Sequence, residues 1–314
     1  MNRGFDMLKN RPIWKIIKEI CEENHITLKT ISYGYITELQ KGNLKKRMVG
    51  NSLEINSANS YKIASDKYAT YEMLKSYNIP TIKHYMIFNP DTRVGFSENE
   101  IEKADRIFEE NDRNVILKSN DSSEGRYVFK IRSKKELEKT ILKLFKEKKD
   151  TLSICPFYEI DYEYRAVFLD GEILFVYKKE KPFVIGNGKD SLQELILKAD
   201  IQDIYDNLDM NYIPKLNEKI EVSWKHNLSR GAMPMPISDD KLKCQIEKLA
   251  IDAAQAIGIT FATVDVVHTT KNELLVMEIN SSVCMDKFSE LYENGYNIAK
   301  SVFNKAILKM FQND

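Results

Sequence analysis

Three oxygen-bearing side chains late in the sequence have the type and spacing to do chemistry together: Asp265 in "TVDVV", and Glu278 and Asn280 in "ELLVMEIN". Glu278 and Asn280 are two residues apart, so on a strand they share a face. Both segments are otherwise apolar, and an ionised carboxylate in an apolar run is costly unless it is paired or binds metal. The short "TTKNE" joins the segments, and a hairpin turning on residues 270–273 sets Asp265 opposite Glu278 with all three side chains on one face. Hard oxygen ligands of this kind suit magnesium, which shares its shell with waters and nucleotide phosphates.

A metal-bound nucleotide also needs cations and a loop that folds over its phosphates. Lys118 ends the strand-like "NVILK", and "SNDSSEGR" follows it. Serine hydroxyls, backbone N–H groups and Gly125 could cradle phosphate there. The same segment also reads as an ordinary polar hairpin.

The elements that must hold these residues follow from periodicity. Ile13, Ile16, Ile17, Ile20 and Cys21 recur at helical spacing after Pro12, and the strand "ITLKTISYG" comes next. From Tyr35 to Lys67 the chain is polar and broken by glycines, which reads as loops and short strands linking into the main fold. A helix over "DKYATYEMLKSY" is stopped by "NIP", because the residue before proline avoids helical geometry. Strand "TIKHYMIF", helix "SENEIEKADRIFEEN", strands "NVILKSN" and "GRYVFKIRS", and helix "KKELEKTILKLFKEKK" then form an α+β module. After Asp150 a new sheet is expected from "TLSICPFY", "YEYRAVFLD" and "EILFVYKK", the last two joined by the hairpin signal Asp170-Gly171. Helices "DSLQELILKA" and "DDKLKCQIEKLAIDAAQAIG" bracket an irregular segment, and "YNIAKSVFNKAILKMF" is the final helix.

The 314 residues, 43% hydrophobic and 30% charged, can build two or three packed subdomains. Cations and carboxylates balance at 47 each, so no global field draws nucleic acid or an anionic membrane, and neither is expected as a partner. No apolar run resembles a signal peptide or reaches the roughly 18 residues of a membrane span, so the expected location is cytoplasmic. Cys21, Cys155, Cys244 and Cys284 lack CxxC spacing and read as buried free thiols. Trp14, Trp224, His84 and His268 read as packing or surface residues, His226 less surely so beside Asn227. The basic "KGNLKKR" at 41–47 reads as a solvated loop that an acidic substrate could use.

In order and content these segments resemble the ATP-grasp superfamily of ATP-dependent carboxylate-amine ligases, from about Asp66 onward. The residues that carry the resemblance are "DK" at 66–67 before "NIP", "ILK" at 116–118, "YEYRAVFLDGEIL" at 162–174, "VIGNGKDSLQELI" at 184–196, "NLSRGA" at 227–232, "TVDVV" and "MEIN". The middle group is similar to the nucleotide-binding modules of cyanophycin synthetase and bifunctional glutathione synthetase. The resemblance implies an α+β ATP-grasp fold whose two subdomains, 66–150 and 151–305, grip a nucleotide, behind a small α/β segment at 1–65.

It further implies that Lys67 and Lys118 contact ATP phosphates, that Ser122, Ser123 and Gly125 form the phosphate loop, and that Glu163 holds the ribose. Arg165, on the same strand face as Glu163, would meet the transferred phosphate or the acyl phosphate. Only one of Lys178 and Lys179 can face the nucleotide. Lys178 is the candidate, although its parity with Glu172 and Leu174 does not decide the choice. Asp265, Glu278 and Asn280 would bind one or two magnesium ions, or manganese, and Asn227 and Arg230 would lie near the acyl group. Where relatives carry a hinge glutamate this chain has Pro156, so a carbonyl of Cys155 or Phe157 is left to meet adenine. The implied reaction joins an acid to an amine through an acyl phosphate, on an amino acid, peptide or small metabolite, in a homodimer. A phosphotransferase on the same fold and a non-catalytic ATP-binding protein are the alternative readings.

Overall fold

The computed structural model describes residues 11–91, 99–121, 127–205 and 207–312. Helix α1 (Pro12–Glu23) buries Ile13, Ile16, Ile17, Ile20 and Cys21, as their spacing requires. It leads into an antiparallel four-stranded sheet in chain order, β1 (Thr27–Ile31), β2 (Ile36–Lys41), β3 (Leu44–Val49) and β4 (Ser52–Leu53). The short strands expected from Tyr35 onward are present, and the linker reading is corrected, because they join β1 in one sheet. Thr37, Leu39 and Met48 face the core while their neighbours face solvent, and the composition looked polar because one side of this sheet is solvated. Helix α2 (Ala58–Ala64), capped by Ser57, was hidden in the same stretch. Helix α3 (Lys67–Ser76) starts where Asp66 accepts the Ala69 N–H at 2.8 Å.

A second antiparallel sheet follows, built from β5 (Tyr85–Phe88), β6 (Val115–Ser119), β7 (Val128–Ile131) and β8 (Thr151–Pro156) in the order β5-β8-β6-β7. Helices α4 (Glu100–Glu110) and α5 (Lys134–Lys146) cover one face over a core that includes Ile87, Phe108, Leu117, Ile141 and Ile154. Segment 151–156 was expected to open a new sheet. Instead it inserts between β5 and β6, where Leu152 and Ile154 complete the existing core, and the break between sheets falls after Pro156.

The third sheet has five strands in the order β13-β10-β9-β14-β15. Strands β9 (Ile160–Leu169) and β10 (Glu172–Glu180) meet at Asp170 and Gly171, with φ of 48° and 94°, the double left-handed geometry of a tight two-residue hairpin. An excursion of β11 (Phe183–Ile185), α6 (Leu192–Lys198) and β12 (Lys219–Glu221) packs on its own small core of Val184, Leu192, Ile196, Ile201 and Val222. The chain returns through β13 (Met233–Met235), helix α7 (Asp240–Ile257), β14 (Phe261–Thr269) and β15 (Leu274–Asn280). Helix α7 seals one face against Ala166, Phe168, Val264, Val266 and Val276. The other face is covered at one end by α1, α8 (Asp286–Leu291) and α9 (Gly295–Met310), which share a core with Val167, Tyr177 and Phe261. The rest of that face carries the polar residues of interest.

Of the four free thiols only Cys21 and Cys155 are buried, and burial pushes the Cys21 thiol up to about 12. Cys244 and Cys284 are exposed, against expectation, because their segments turn those positions away from the cores. Among the described residues no helix is long and apolar enough to cross a membrane.

Candidate active site

Strand register assembles the site. Asp265 on β14 lies opposite Arg165 on β9 and opposite Glu278 on β15, while Glu163 lies opposite Lys179 on β10. Directly opposed residues share a face, and so do residues two apart on one strand. Lys179, Glu163, Arg165, Asp265, Glu278 and Asn280 therefore form one row across four strands.

The hairpin pairing expected for Asp265 and Glu278 is present, by a route the sequence conceals. Val266 pairs with Val276, so Met277 is an extra residue that bulges out of the ladder. The bulge lets Val276 enter the core beneath α7 while Glu278 faces the opposite way, beside Asp265. A second irregularity, at Leu174 between the pairs Ile173–Phe168 and Phe175–Val167, resets the parity of β10. As a result Lys179 points into the row and is only 3% exposed. Lys178 is turned to the other side, its ammonium 5.0 Å from the Tyr162 ring centre. Lys178, the candidate of the sequence analysis, thus lies on the opposite face from the row that Lys179 joins.

Burial and charge make the row a compensated network. Arg165 donates through Nε and Nη2 to the two Asp265 oxygens at 2.7 and 2.6 Å, and Lys179 lies 3.2 Å from Oδ2. Lys179 also pairs closely with Glu163. Burial alone would raise the Asp265 carboxyl, but Arg165 and Lys179 together hold it well below the usual carboxylate range. Burial pushes Glu163 up to about 7 against the pull of Lys179. Lys179 itself stays protonated because Asp265 and Glu163 outweigh its burial and the nearby Arg165. His226, which sequence analysis read as a packing or surface residue, stands 3.7 Å from Glu163 and is pushed down to about 3, chiefly by burial and then by Lys179. No local signal singled out Lys179 or His226, since their positions depend on a bulge and on a loop returning across the sheet.

Lys118 is 8% exposed on β6, and Lys67 approaches it from the start of α3, its Nζ donating to the Asn120 carbonyl at 3.3 Å. Burial lowers the Lys67 pKa, Glu278 raises it and Lys118 lowers it, which puts all three in one electrostatic neighbourhood. Beside them an apolar seam joins the second and third sheets, with Ile116, Cys155 and Val267 buried and Val128, Phe157, Trp224 and Met277 packed around them. Cys155 lies opposite Ile116 in the ladder, and the Phe157 N–H donates to the Asn114 carbonyl at 2.9 Å. His84 closes this region, its Nδ1 2.7 Å from Ser153 Oγ and its Nε2 buried without a partner.

The remaining expected residues have the following contacts. Asn227 caps a 3-10 turn at Leu228–Arg230, accepting from Ser229 N–H and Oγ at 2.9 Å each. Arg230 turns to Gln202, at 2.8 Å, and Asp203, at 3.5 Å. Ser122, Ser123 and Gly125 lie outside the described residues.

For magnesium the donor set fits in part. Asn280 Nδ2 donates to Glu278 Oε1 at 3.2 Å, so the Asn280 amide oxygen and the Glu278 carboxylate remain as hard donors on one strand end. Both oxygens of Asp265 are engaged by cations, Oδ2 by Arg165 and Lys179 and Oδ1 by Arg165 alone, so Oδ1 keeps one lone pair that a metal could use. Among the described residues no three His, Cys, Asp or Glu side chains gather as a metal-binding group.

The model of the RimK-like ATP-grasp domain matches residues 215–306. Among solved structures, the bifunctional glutathione synthetase of Pasteurella multocida superposes with a TM-score of 0.58 at 16% identity, over 94% of this chain and 44% of that one. This chain therefore spans less than half the length of that synthetase. The D-alanine–D-alanine ligase of Bacillus anthracis superposes with a TM-score of 0.50 at 15% identity, over 80% of this chain and 72% of that one. No curated protein matches in sequence.

Proposed function

We propose that this chain, which has the ATP-grasp fold with a RimK-like ATP-grasp domain over residues 215–306, is an ATP-dependent carboxylate-amine ligase that forms an amide through an acyl phosphate. The observation that carries this reading is the row from Lys179 to Asn280, where a buried lysine, a partly exposed arginine and an acidic strand end meet beside two further lysines.

In this reading the apolar seam around Ile116, Cys155 and Met277 takes the base, and Glu163 accepts from the ribose hydroxyls once Lys179 releases it. Lys67 and Lys118 offset phosphate charge. Arg165, clamped to Asp265 and 22% exposed at its side chain, presents its free N–H groups to the transferred phosphoryl group and then to the acyl phosphate. Positioned cations in a dry site stabilise developing charge without reorganising at the moment of reaction. Glu278, Asn280 and the Oδ1 of Asp265 would hold a divalent cation, which would supply charge neutralisation and polarisation of phosphate oxygens. No protein nucleophile is required, because the acid's own carboxylate attacks phosphorus and the amine displaces phosphate. The acids and amines of this reading are amino acids, peptides or small metabolites.

Phosphate release from ATP with magnesium, across pooled amino acids and dipeptides, tests the proposal. The expected result is release that needs both an acid and an amine and falls at least a hundredfold in Glu278→Gln. Release that needs an acid alone and yields a stable phosphorylated product would replace the ligase with a phosphotransferase. ATP binding without turnover on any pool would favour a non-catalytic nucleotide binder.

A further inference from the structure

Arg165 has the five N–H donors of a guanidinium, and Asp265 takes two of them, one at Nε and one at Nη2. A clamp along one edge leaves the guanidinium plane free to rock about that edge, so Asp265 alone does not aim the remaining donors. Register brings a second partner, because Tyr177 lies directly opposite Arg165 on β10 and shares its face. The irregularity at Leu174 that turns Lys179 into the row also delivers Tyr177, two residues before it. Tyr177 is 2% exposed, and Arg165 meets its side chain through charge and a hydrogen bond. Burial keeps the phenol protonated against the pull of Arg165 and Lys179, so a neutral hydroxyl faces the guanidinium.

The ring of Tyr177 is braced from behind. Phe288 on α8 lies 4.7 Å from it, centre to centre, and stacks in turn on Tyr292 at 4.9 Å. Phe175 stands edge-on to Phe288 and Tyr292 at 5.2 and 5.4 Å. A helix of six residues has little stability of its own, yet α8 is held on both sides. At its start Asp286 accepts from Arg11 Nε and from the Ile13 N–H, each at 3.0 Å, which ties it to the first turn of α1. Beyond its end Gly295 packs so closely that a Cβ there would lie 2.5 Å from the Phe288 carbonyl. The brace needs only a ring at position 177, so packing leaves the hydroxyl beside Arg165 unexplained.

We propose that Tyr177, braced by Phe288, is a positioning residue for Arg165: it fixes the guanidinium plane so that the donors Asp265 leaves free point toward the phosphoryl group being transferred. What Arg165 touches rests on the ligase reading, whereas the bracing of Arg165 does not depend on turnover. A purely structural Tyr177 would stabilise the fold through its ring and leave the guanidinium indifferent to its hydroxyl.

Two measurements on the full chain test this. Rotation of the Arg165 guanidinium about its Nε–Cζ bond is followed without nucleotide by nitrogen-15 exchange spectroscopy on arginine-labelled protein, the Arg165 signals being those lost in Arg165→Lys. Rotation is expected to quicken about threefold or more in Tyr177→Phe, which keeps the ring, and in Phe288→Leu, which keeps the hydroxyl and removes the ring behind it. In phosphate release at saturating ATP, acid and amine, kcat is expected to fall about tenfold or more in Tyr177→Phe while ATP affinity changes less than about twofold. Unchanged rotation in Tyr177→Phe overturns the proposal, and so does an unchanged kcat or a loss carried by ATP affinity alone. If rotation quickens in both variants and the wild type releases no phosphate with any acid and amine, the positioning of Arg165 stands and the ligase reading falls.

Discussion

Asp265 holds two cations in place, and that separates it from the other acidic residues on its face. Removing one partner from a buried pair leaves an uncompensated charge and costs about 3–5 kcal/mol. Asp265→Asn strands Arg165 and Lys179, which share it at 2.6 and 3.2 Å, and should lower the urea unfolding free energy by roughly that amount. Glu278→Gln, whose carboxylate is half-buried and accepts from Asn280, should change stability by less than about 1 kcal/mol while removing the ATP turnover of the proposed function. The histidines supply a pH dependence. His226 is pushed from an ordinary 6.5 down to about 3, so between those values the unfolded chain binds the extra proton. Stability contributed by keeping it neutral is complete above pH 6.5 and falls by about 1.4 kcal/mol per pH unit below. Glu163, raised to about 7, runs the opposite way as pH falls toward its ordinary value of 4.5. The net slope therefore conceals both, and the difference between wild type and His226→Asn reveals one. Between pH 7.5 and 5.5 the variant should lose about 1.4 kcal/mol less than wild type in urea titrations.

Among the elements, the two bulges decide which side chains reach the row, and the hairpins decide where the strands start. Gly171 occupies φ 94° with open space where a Cβ would sit, so Gly171→Ala meets only a backbone penalty of about 1–2 kcal/mol. Gly186 offers the contrast, because a Cβ there would lie 2.1 Å from the Lys215 carbonyl and 2.7 Å from Pro214 Cβ. Gly186→Ala should cost more, ~2 kcal/mol or above, and should loosen the strap at 210–218. Faster amide exchange at Gly186, which donates to the Glu218 carbonyl, and at Asn217 would report that loosening. Equal losses in the two variants would show that the strap does not press on β11. Hairpin positions were legible because Asp-Gly is a local signal, whereas a bulge is settled by the partner strand and by the core beneath it.

For the whole molecule, residues 11–65 share a core with the later elements. Ile16, Ile17 and Ile20 of α1 are fully buried in one core with Phe261, Phe303 and Ile307. Asn56 fastens the same region to β14, accepting from Thr260 and Phe261 N–H at 3.0 and 2.8 Å and donating to the Phe261 carbonyl. A chain starting at Asp66 would expose that core face and should be insoluble or bind a hydrophobic dye, although it retains every residue of the row. Cooperative unfolding of residues 66–314 alone would instead establish an independent domain there.

Segment types, the fold class and the Asp265–Glu278–Asn280 group were legible because each rests on short-range pattern: alternation, helical spacing, turn dipeptides and the cost of carboxylates in apolar strands. The order of the motifs was enough to suggest the ATP-grasp fold that superposition shows. Four things depended on tertiary structure: the insertion of β8 between β5 and β6, the joining of the strands in 27–53 into one sheet, the turning of Lys179 rather than Lys178 into the row, and the arrival of His226 at Glu163. Each is decided by which surfaces are buried together across distant segments, and no local pattern encodes that free energy.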